Sequence, residues 1–203
     1  MPTIRDGLLQ HATWYRRFKT LIRADRATRI MAREYIRPRP GERILDVGCG
    51  DGDIRPYLEG CDYTGVDLND DYLRVAEGRS DATTRFLHAD VASLAGLGLG
   101  PFDVAIAVGL LHHLTDDQCT SLLAAIRDAL VPGGRLITFD PVFDPAQRTS
   151  ARLLAALDRG RYVRDETGYE RLFDGLFTVQ GRAVRQDLLP FPYSHAIFEL
   201  QPA

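Results

Sequence analysis

Cysteine is scarce in this chain: Cys49, Cys61 and Cys119 are the only three in 203 residues, and no two of them form C-x-x-C. An odd, dispersed set argues against a disulfide framework and against a thiolate zinc site. No apolar run reaches the roughly 18 residues of a membrane span. The opening stretch MPTIRDGLLQHATWYRRFKT lacks the apolar core and small-residue cleavage site of a secretory signal, so a cytoplasmic address is expected. There is no low-complexity segment, no internal repeat and no linker long enough to divide two domains. A chain of this length suits one domain with a sizeable core.

Charge of one sign is not in excess overall, since the net is only −3, but it is unevenly placed. Residues 1–40 hold ten basic and three acidic side chains, which gives that segment +7 and the remainder −10. Such a face is either solvated surface or an arm drawn to an anionic substrate or partner. Nucleic acid has little else to support it, because aromatics interleave with the basic residues only in TWYRRF.

What is present is a repeating pattern. Apolar positions Trp14, Phe18, Leu21, Ile22, Ile30, Met31 and Ile36 recur at helical spacing and stop at RPRPG, so one or two N-terminal helices are predicted. RILDV, YTGVD, RFLHAD, FDVAIAV and RLITFD then read as five strands, with helical segments between them. The clearest helix runs from Thr115 to Leu130, with Thr115 and Gln118 as a capping box and an i, i+3, i+4, i+7 apolar stripe. The third connection, VASLAGLGLGP, is less helical. Strands with little alternation, separated by helices, predict a doubly wound α/β fold with a mostly parallel sheet covered on both faces. Later, DETGYERLFDG reads as a helix with Thr167 and Glu170 as a possible capping box. FTVQGRAV and YSHAIFEL follow as an antiparallel hairpin on one sheet edge.

The sharpest local feature is RILDVGCGDGDI, where a strand ends on Asp46-Val47 and opens into Gly48, Cys49, Gly50 and Gly52. Ligands of open α/β sheets bind outside the C-terminal strand ends, and glycines there let backbone approach a ligand directly. The dinucleotide pattern G-x-G-x-x-G requires glycine where this chain has Asp53. Asp46, Asp51 and Asp53 would also repel a diphosphate, whereas a sulfonium and an ammonium would be attracted. Asp67 ends the second strand 19 positions after Gly48, where an acid accepts from ribose hydroxyls; its competing role is an N-cap, which Asn69 can already supply. Asp90 ends the third strand and could accept from an adenine amino group, with Val91 packing beside the ring.

Taken in order, ILDVGCGDGDI, YTGVDLN, FLHAD, FDVAIAVGLLHHL and LVPGGRLITFD resemble the successive motifs of class I S-adenosylmethionine-dependent methyltransferases, over Glu42 to about Asp140. The resemblance implies a seven-stranded sheet with an antiparallel last strand, and S-adenosylmethionine as cofactor with S-adenosylhomocysteine as product. It would place Asp46 and the Gly48-Cys49-Gly50 backbone on the methionine part and Asp67 on the ribose. Leu68 would flank the adenine, Asp90 and Val91 would close its far end, and Gly109 would lie near the transferable methyl. Cys49 is small filler in this loop, with no nucleophilic role. One domain over 1–203 follows, as a helical lid (1–40), a cofactor core (41–140), and a substrate-side insertion with the hairpin (141–203).

Methyl transfer asks mainly for alignment of the nucleophile, with a base where a proton must leave. The candidate bases are His113, preferred because histidine recurs there in relatives, and His112; the alternative is that the segment packs with one histidine bonded to backbone. No metal is expected, since adjacent histidines diverge and no third ligand is suitably spaced. The N/D/S-P-P-Y/F turn of nucleic-acid amino-methylating relatives and the Pro-Cys of cytosine C5 enzymes are both missing. A small-molecule acceptor, more readily a hydroxyl, is expected. Candidate substrate contacts are Trp14, Tyr15 and Arg16 before the core, Arg161 and Tyr162 after the fifth strand, and Tyr193 and His195 in the hairpin. That Arg/Tyr-rich set suits an anionic or polyhydroxylated molecule. Two other readings stay open: a protein that binds S-adenosylmethionine without catalysis, and a nicotinamide-dependent oxidoreductase on the same fold. Acceptor atom, oligomeric state and pathway are not legible.

Overall fold

A computed structural model of the chain describes residues 24–145, 147, 161–190 and 193–203. Its first element, α1 (Ala24–Ile30), runs directly into a π-helical turn, Met31–Ile36. The helix stops at Arg37, which turns left-handed (φ 48°) with its N–H on the Ala32 carbonyl, immediately before Pro38. A residue preceding proline is disfavoured in helical geometry, so the break lies where the proline pair demands it.

Seven strands form one sheet among the described residues: β1 (Arg43–Val47), β2 (Asp62–Asp67), β3 (Thr84–His88), β4 (Phe102–Val108), β5 (Leu130–Pro141), β6 (Phe177–Arg185) and β7 (His195–Pro202). The order is β3-β2-β1-β4-β5-β7-β6. The first five run parallel, and β7 lies antiparallel between β5 and β6. This is the doubly wound α/β sheet with the antiparallel final strand that the sequence predicts. Chain order reverses between β1 and β4, which opens a crevice at their C-terminal ends.

The crossovers are less helical than the sequence pattern suggests. Helix α2 (Asp70–Ala76) joins β2 to β3, and α3 (Asp116–Ala129) joins β4 to β5. The β1–β2 link holds only a 3-10 turn, Arg55–Tyr57, and the β3–β4 link is the 3-10 stretch Val91–Leu97. Helix α4 (Glu166–Phe173) precedes β6. Strand β5 begins earlier than RLITFD implies, because Leu130 pairs with Phe102 across an irregularity before Arg135 meets Val104.

Alternation along the strands feeds two cores. Leu45, Val47, Ala105, Leu136 and Phe198 pack under Leu122, Leu123, Ile126 and Phe173 on one face. Ile44, Tyr63, Ile106, Ile137 and Ile197 meet Met31, Ile36 and Leu188 on the other. A sheet covered on both faces leaves only its strand ends for a ligand.

Candidate cofactor and active site

The glycine turn leaves β1 at Gly48 with positive φ at Gly48 (75°), Gly50 (55°) and Gly52 (69°). The turn is stitched to β2: Gly48 and Cys49 N–H both donate to the Val66 carbonyl, and Gly50 N–H donates to Asp67 Oδ2 at 2.8 Å. A β-carbon at Gly50 would stand in open space, so this main chain is exposed to whatever enters. Asp67 Oδ1 accepts from Asn69 N–H (2.8 Å), while the Asn69 side chain caps α2 through Asp71 and Tyr72 N–H. The carboxylate thus spans the turn and the β2 end rather than capping the helix itself.

The acids of the turn are unequal. Arg79 holds Asp53 at 2.7 Å and also donates to the Asp51 carbonyl, so one of the three negative charges supposed to repel a diphosphate is locally compensated. Asp46, only 3% exposed, accepts from the Tyr63 hydroxyl at 2.6 Å. Burial, with the Asp46 and Asp67 carboxylates nearby, holds the Cys49 thiol far above its ordinary pKa. It stays a neutral filler under working conditions.

Beside Asp67, Leu68 is 59% exposed, an apolar side chain presented to solvent next to a carboxylate. The His88 ring buttresses it, with Nε2 at 2.8 Å from the Leu68 carbonyl. Asp90 is exposed and caps the 3-10 stretch through Ala92 N–H (2.9 Å), and Val91 packs partly on the core. These three sites line the ends of β2 and β3, while Asp46 and the glycines line β1.

Across the crevice, β4 ends at Gly109, whose φ is 63° and whose N–H donates to the Phe139 carbonyl. The next turn buries His112, with Nδ1 at 2.7 Å from Asp140 Oδ1 on β5, and the same oxygen accepts His112 N–H at 3.1 Å. A β-carbon at Gly109 would come within 3.7 Å of His112 Cε1, so the imidazole edge faces that glycine. Burial raises the Asp140 pKa, while the hydrogen bonds from His112 work against it. His113 lies tilted against His112, with ring centroids 4.0 Å apart, and is exposed. Sequence reasoning gave Asp140 no role. The available signal was a carboxylate closing an otherwise apolar buried strand at its ligand-binding end.

Among the described residues, the candidate substrate contacts fall into two separate groups. Trp14, Tyr15 and Arg16 lie outside the described residues. Arg161 and Tyr162 are exposed, and Tyr162 N–H donates to the His112 carbonyl. Tyr193 and His195 are buried, and His195 stacks on Phe139 at 4.6 Å, on the sheet face opposite His112. Two residues close to Arg161 and Tyr162 in the chain serve the framework. Arg164 reaches the Leu111 and Leu114 carbonyls, and the Tyr169 hydroxyl donates to the Pro141 carbonyl. Among the described residues no cluster of three or more His, Cys, Asp or Glu could hold a metal ion, and no helix is long and apolar enough to cross a membrane.

A family profile described as a methyltransferase domain matches residues 44–134, which contain the glycine turn, both strand-end acids and the β4 turn. Those residues carry a methyltransferase domain, and the chain resembles the class I S-adenosylmethionine-dependent methyltransferases. It is similar to a ubiquinone biosynthesis O-methyltransferase of Pectobacterium atrosepticum (29% identical over 128 residues, 61% of this chain and 50% of that one). It is also similar to an O-methyltransferase of Penicillium expansum (35% over 115 residues, 53% and 41%). The chain spans about half the length of the curated relatives it matches. Its fold is that of magnesium protoporphyrin IX methyltransferase from Synechocystis, solved with S-adenosylhomocysteine bound (TM-score 0.70, 18% identity, 96% of each chain). S-adenosylmethionine is the cofactor of this methyltransferase class, and the bared glycine backbone, two carboxylates and exposed leucine at this sheet edge fit it.

Proposed function

We propose that this methyltransferase moves a methyl group from S-adenosylmethionine to a hydroxyl of a small molecule. The observation that carries the base assignment is the buried His112–Asp140 pair, set across the crevice from the glycine turn. On this reading Asp46 and the Gly48-Cys49-Gly50 backbone hold the methionine part, with Gly52 completing the turn. Asp67 takes the ribose hydroxyls, Leu68 flanks the adenine, and Asp90 and Val91 bound its far end. Gly109 leaves room beside the reactive centre. When bound, the cofactor supplies a methyl on a positively charged sulfur with a good leaving group.

The protein's remaining task is to align an oxygen and take its proton. With a proton on Nδ1 directed at Asp140, Nε2 is the basic nitrogen of His112, and Asp140 fixes that tautomer as the acid of a catalytic triad does. Such a base contributes roughly 10²–10⁴-fold. The dyad moves the preference from His113 to His112, whose Nδ1 lies 2.7 Å from the buried Asp140 carboxylate; His113, exposed alongside, stays the second candidate. The two curated relatives are named as O-methyltransferases, which supports an oxygen acceptor. Arg161 and Tyr162, exposed beside the His112 turn, favour an acceptor bearing negative charge or several hydroxyls.

The test uses labelled S-adenosylmethionine with a fractionated small-molecule extract, identifying the labelled product by mass. His112→Gln and Asp140→Asn should each lower transfer by 10²-fold or more while S-adenosylhomocysteine still raises the melting temperature by mass action. Undiminished transfer by His112→Gln would remove the base assignment. Cofactor binding with no labelled product in any fraction would leave a binding protein, and stabilisation by NAD(H) instead would indicate an oxidoreductase.

A further inference from the structure

Asp46 is a carboxylate withdrawn from water, and such a group needs donors to remain charged. One donor comes from an unexpected place. Tyr63 lies on β2 two residues before Gly65, the residue opposite Asp46, so both side chains project from the same sheet face. Its ring is 1% exposed and packs edge-on against Phe86, with centroids 5.6 Å apart. Its hydroxyl donates to Asp46 Oδ2 at 2.6 Å. Were Tyr63 only core filler, the buried hydroxyl would be a liability that phenylalanine avoids.

The phenol is itself braced. The Arg55 guanidinium sits 5.8 Å from the ring centroid and is buried. Arg55 donates to Thr84 Oγ1 (2.6 Å), Thr83 Oγ1 (2.9 Å), the Leu58 carbonyl (2.8 Å) and Asp81 (2.6 Å). A continuous set of contacts therefore runs from Asp81 at the entry to β3, through Arg55 and Tyr63, to the acid at the mouth of the glycine turn. Burial raises the Tyr63 pKa, and the Asp46 charge raises it further, so the phenol remains a donor at every working pH.

We infer that Tyr63 is a positioning residue for the cofactor: its hydroxyl holds Asp46 charged and aimed at the amino-acid end of the ligand. The inference rests on the assignment of Asp46 to that end. Among the described residues, the titratable or charged groups near Asp46 include Tyr63 on β2, Arg55 beyond its ring, Cys49 on the turn, and Asp67 and Asp51 about that thiol. From β4 the neighbour is Ile106.

The experiment titrates the whole chain calorimetrically with S-adenosylhomocysteine between pH 5 and 8, for wild type, Tyr63→Phe and Asp46→Asn. Tyr63→Phe should bind about tenfold more weakly at pH 7, the usual consequence of removing a hydrogen bond to a charged group. The gap should widen as pH falls to 5, because a carboxylate that has lost a donor takes up a proton at higher pH. Tyr63→Met, which also removes the donor and keeps apolar volume, is read the same way if the phenylalanine variant does not fold. Equal affinity, or a deficit that is constant across pH, overturns the positioning role. If Asp46→Asn binds as wild type does, the assignment of Asp46 falls and the role of Tyr63 with it. Weak binding by Asp46→Asn beside normal binding by Tyr63→Phe refutes only the inference.

Discussion

Gly65 stands opposite Asp46 in the β1–β2 ladder, and a β-carbon there would lie 2.8 Å from Cys49 Sγ and 2.9 Å from the Phe86 ring. The missing side chain is what lets the glycine turn settle onto β2. Gly65→Ala should cost about 1–3 kcal/mol by overpacking. Urea unfolding should show a lower midpoint, and calorimetry a weaker affinity for S-adenosylhomocysteine. Adding Cys49→Ala removes the nearest obstacle, so the double variant should recover part of both losses. Wild-type affinity in Gly65→Ala would mean the turn is positioned some other way. Asp67 was legible within YTGVD because its distance from Gly48 is a one-dimensional signal. Tyr63 and Gly65, in the same five residues, act through partners on β1 and the turn, which no spacing reveals.

Local rules served well for α3. Its capping box is complete, with Gln118 N–H on Thr115 Oγ1 (3.3 Å) and Thr115 N–H on Gln118 Oε1 (2.9 Å). Thr115→Ala should destabilise the chain by about 1 kcal/mol, read as a shifted urea midpoint at unchanged slope. Serine at 115 should restore it. Helix α4 shows the limit of the same rule. The pattern Thr167–Glu170 offers a box, yet Asp165 is the cap, accepting from Gly168 N–H at 2.7 Å. The start moves two residues earlier because Arg164, just ahead of it, is tied to the Leu111 and Leu114 carbonyls and to Asp116. Tertiary anchoring outranked a local motif of similar strength. The same holds for the β1–β2 link, where the space against the sheet takes one 3-10 turn and the buried Arg55 rather than a full helix.

At the scale of the molecule, stability should decline on the acid side. Thr84 and then Arg55 hold Asp81 well below the usual carboxylate range. The Arg43 N–H, and less strongly its guanidinium, lower Asp103, and Arg185 brings Asp187 to about 2. A carboxylate whose pKa is depressed by folding adds stability that is fully present above the unfolded value, near 4, and is lost as pH falls through the folded one. Melting temperatures should therefore drop between about pH 4 and 2, and Asp103→Asn should show a shallower drop from a lower starting point. An identical acid-side slope in wild type and variant would contradict this origin. Asp140 acts in the opposite direction: burial raises its pKa, so the charged form opposes folding as pH rises past the ordinary value.

Contiguous residues determined what could be read without coordinates. Strand and helix periods, the glycine turn after β1 and the acids at two strand ends are all set by near neighbours in the chain, and together they specify the sheet and its cofactor. Tertiary structure alone decided which distant side chains meet: Tyr63 with Asp46, His112 with Asp140, Arg79 with Asp53, and His195 with Phe139. These pairs form because neighbouring strands and the turns at their ends bring residues far apart in the chain into contact. That separation carries no periodic signal, so burial and partnership had to be observed.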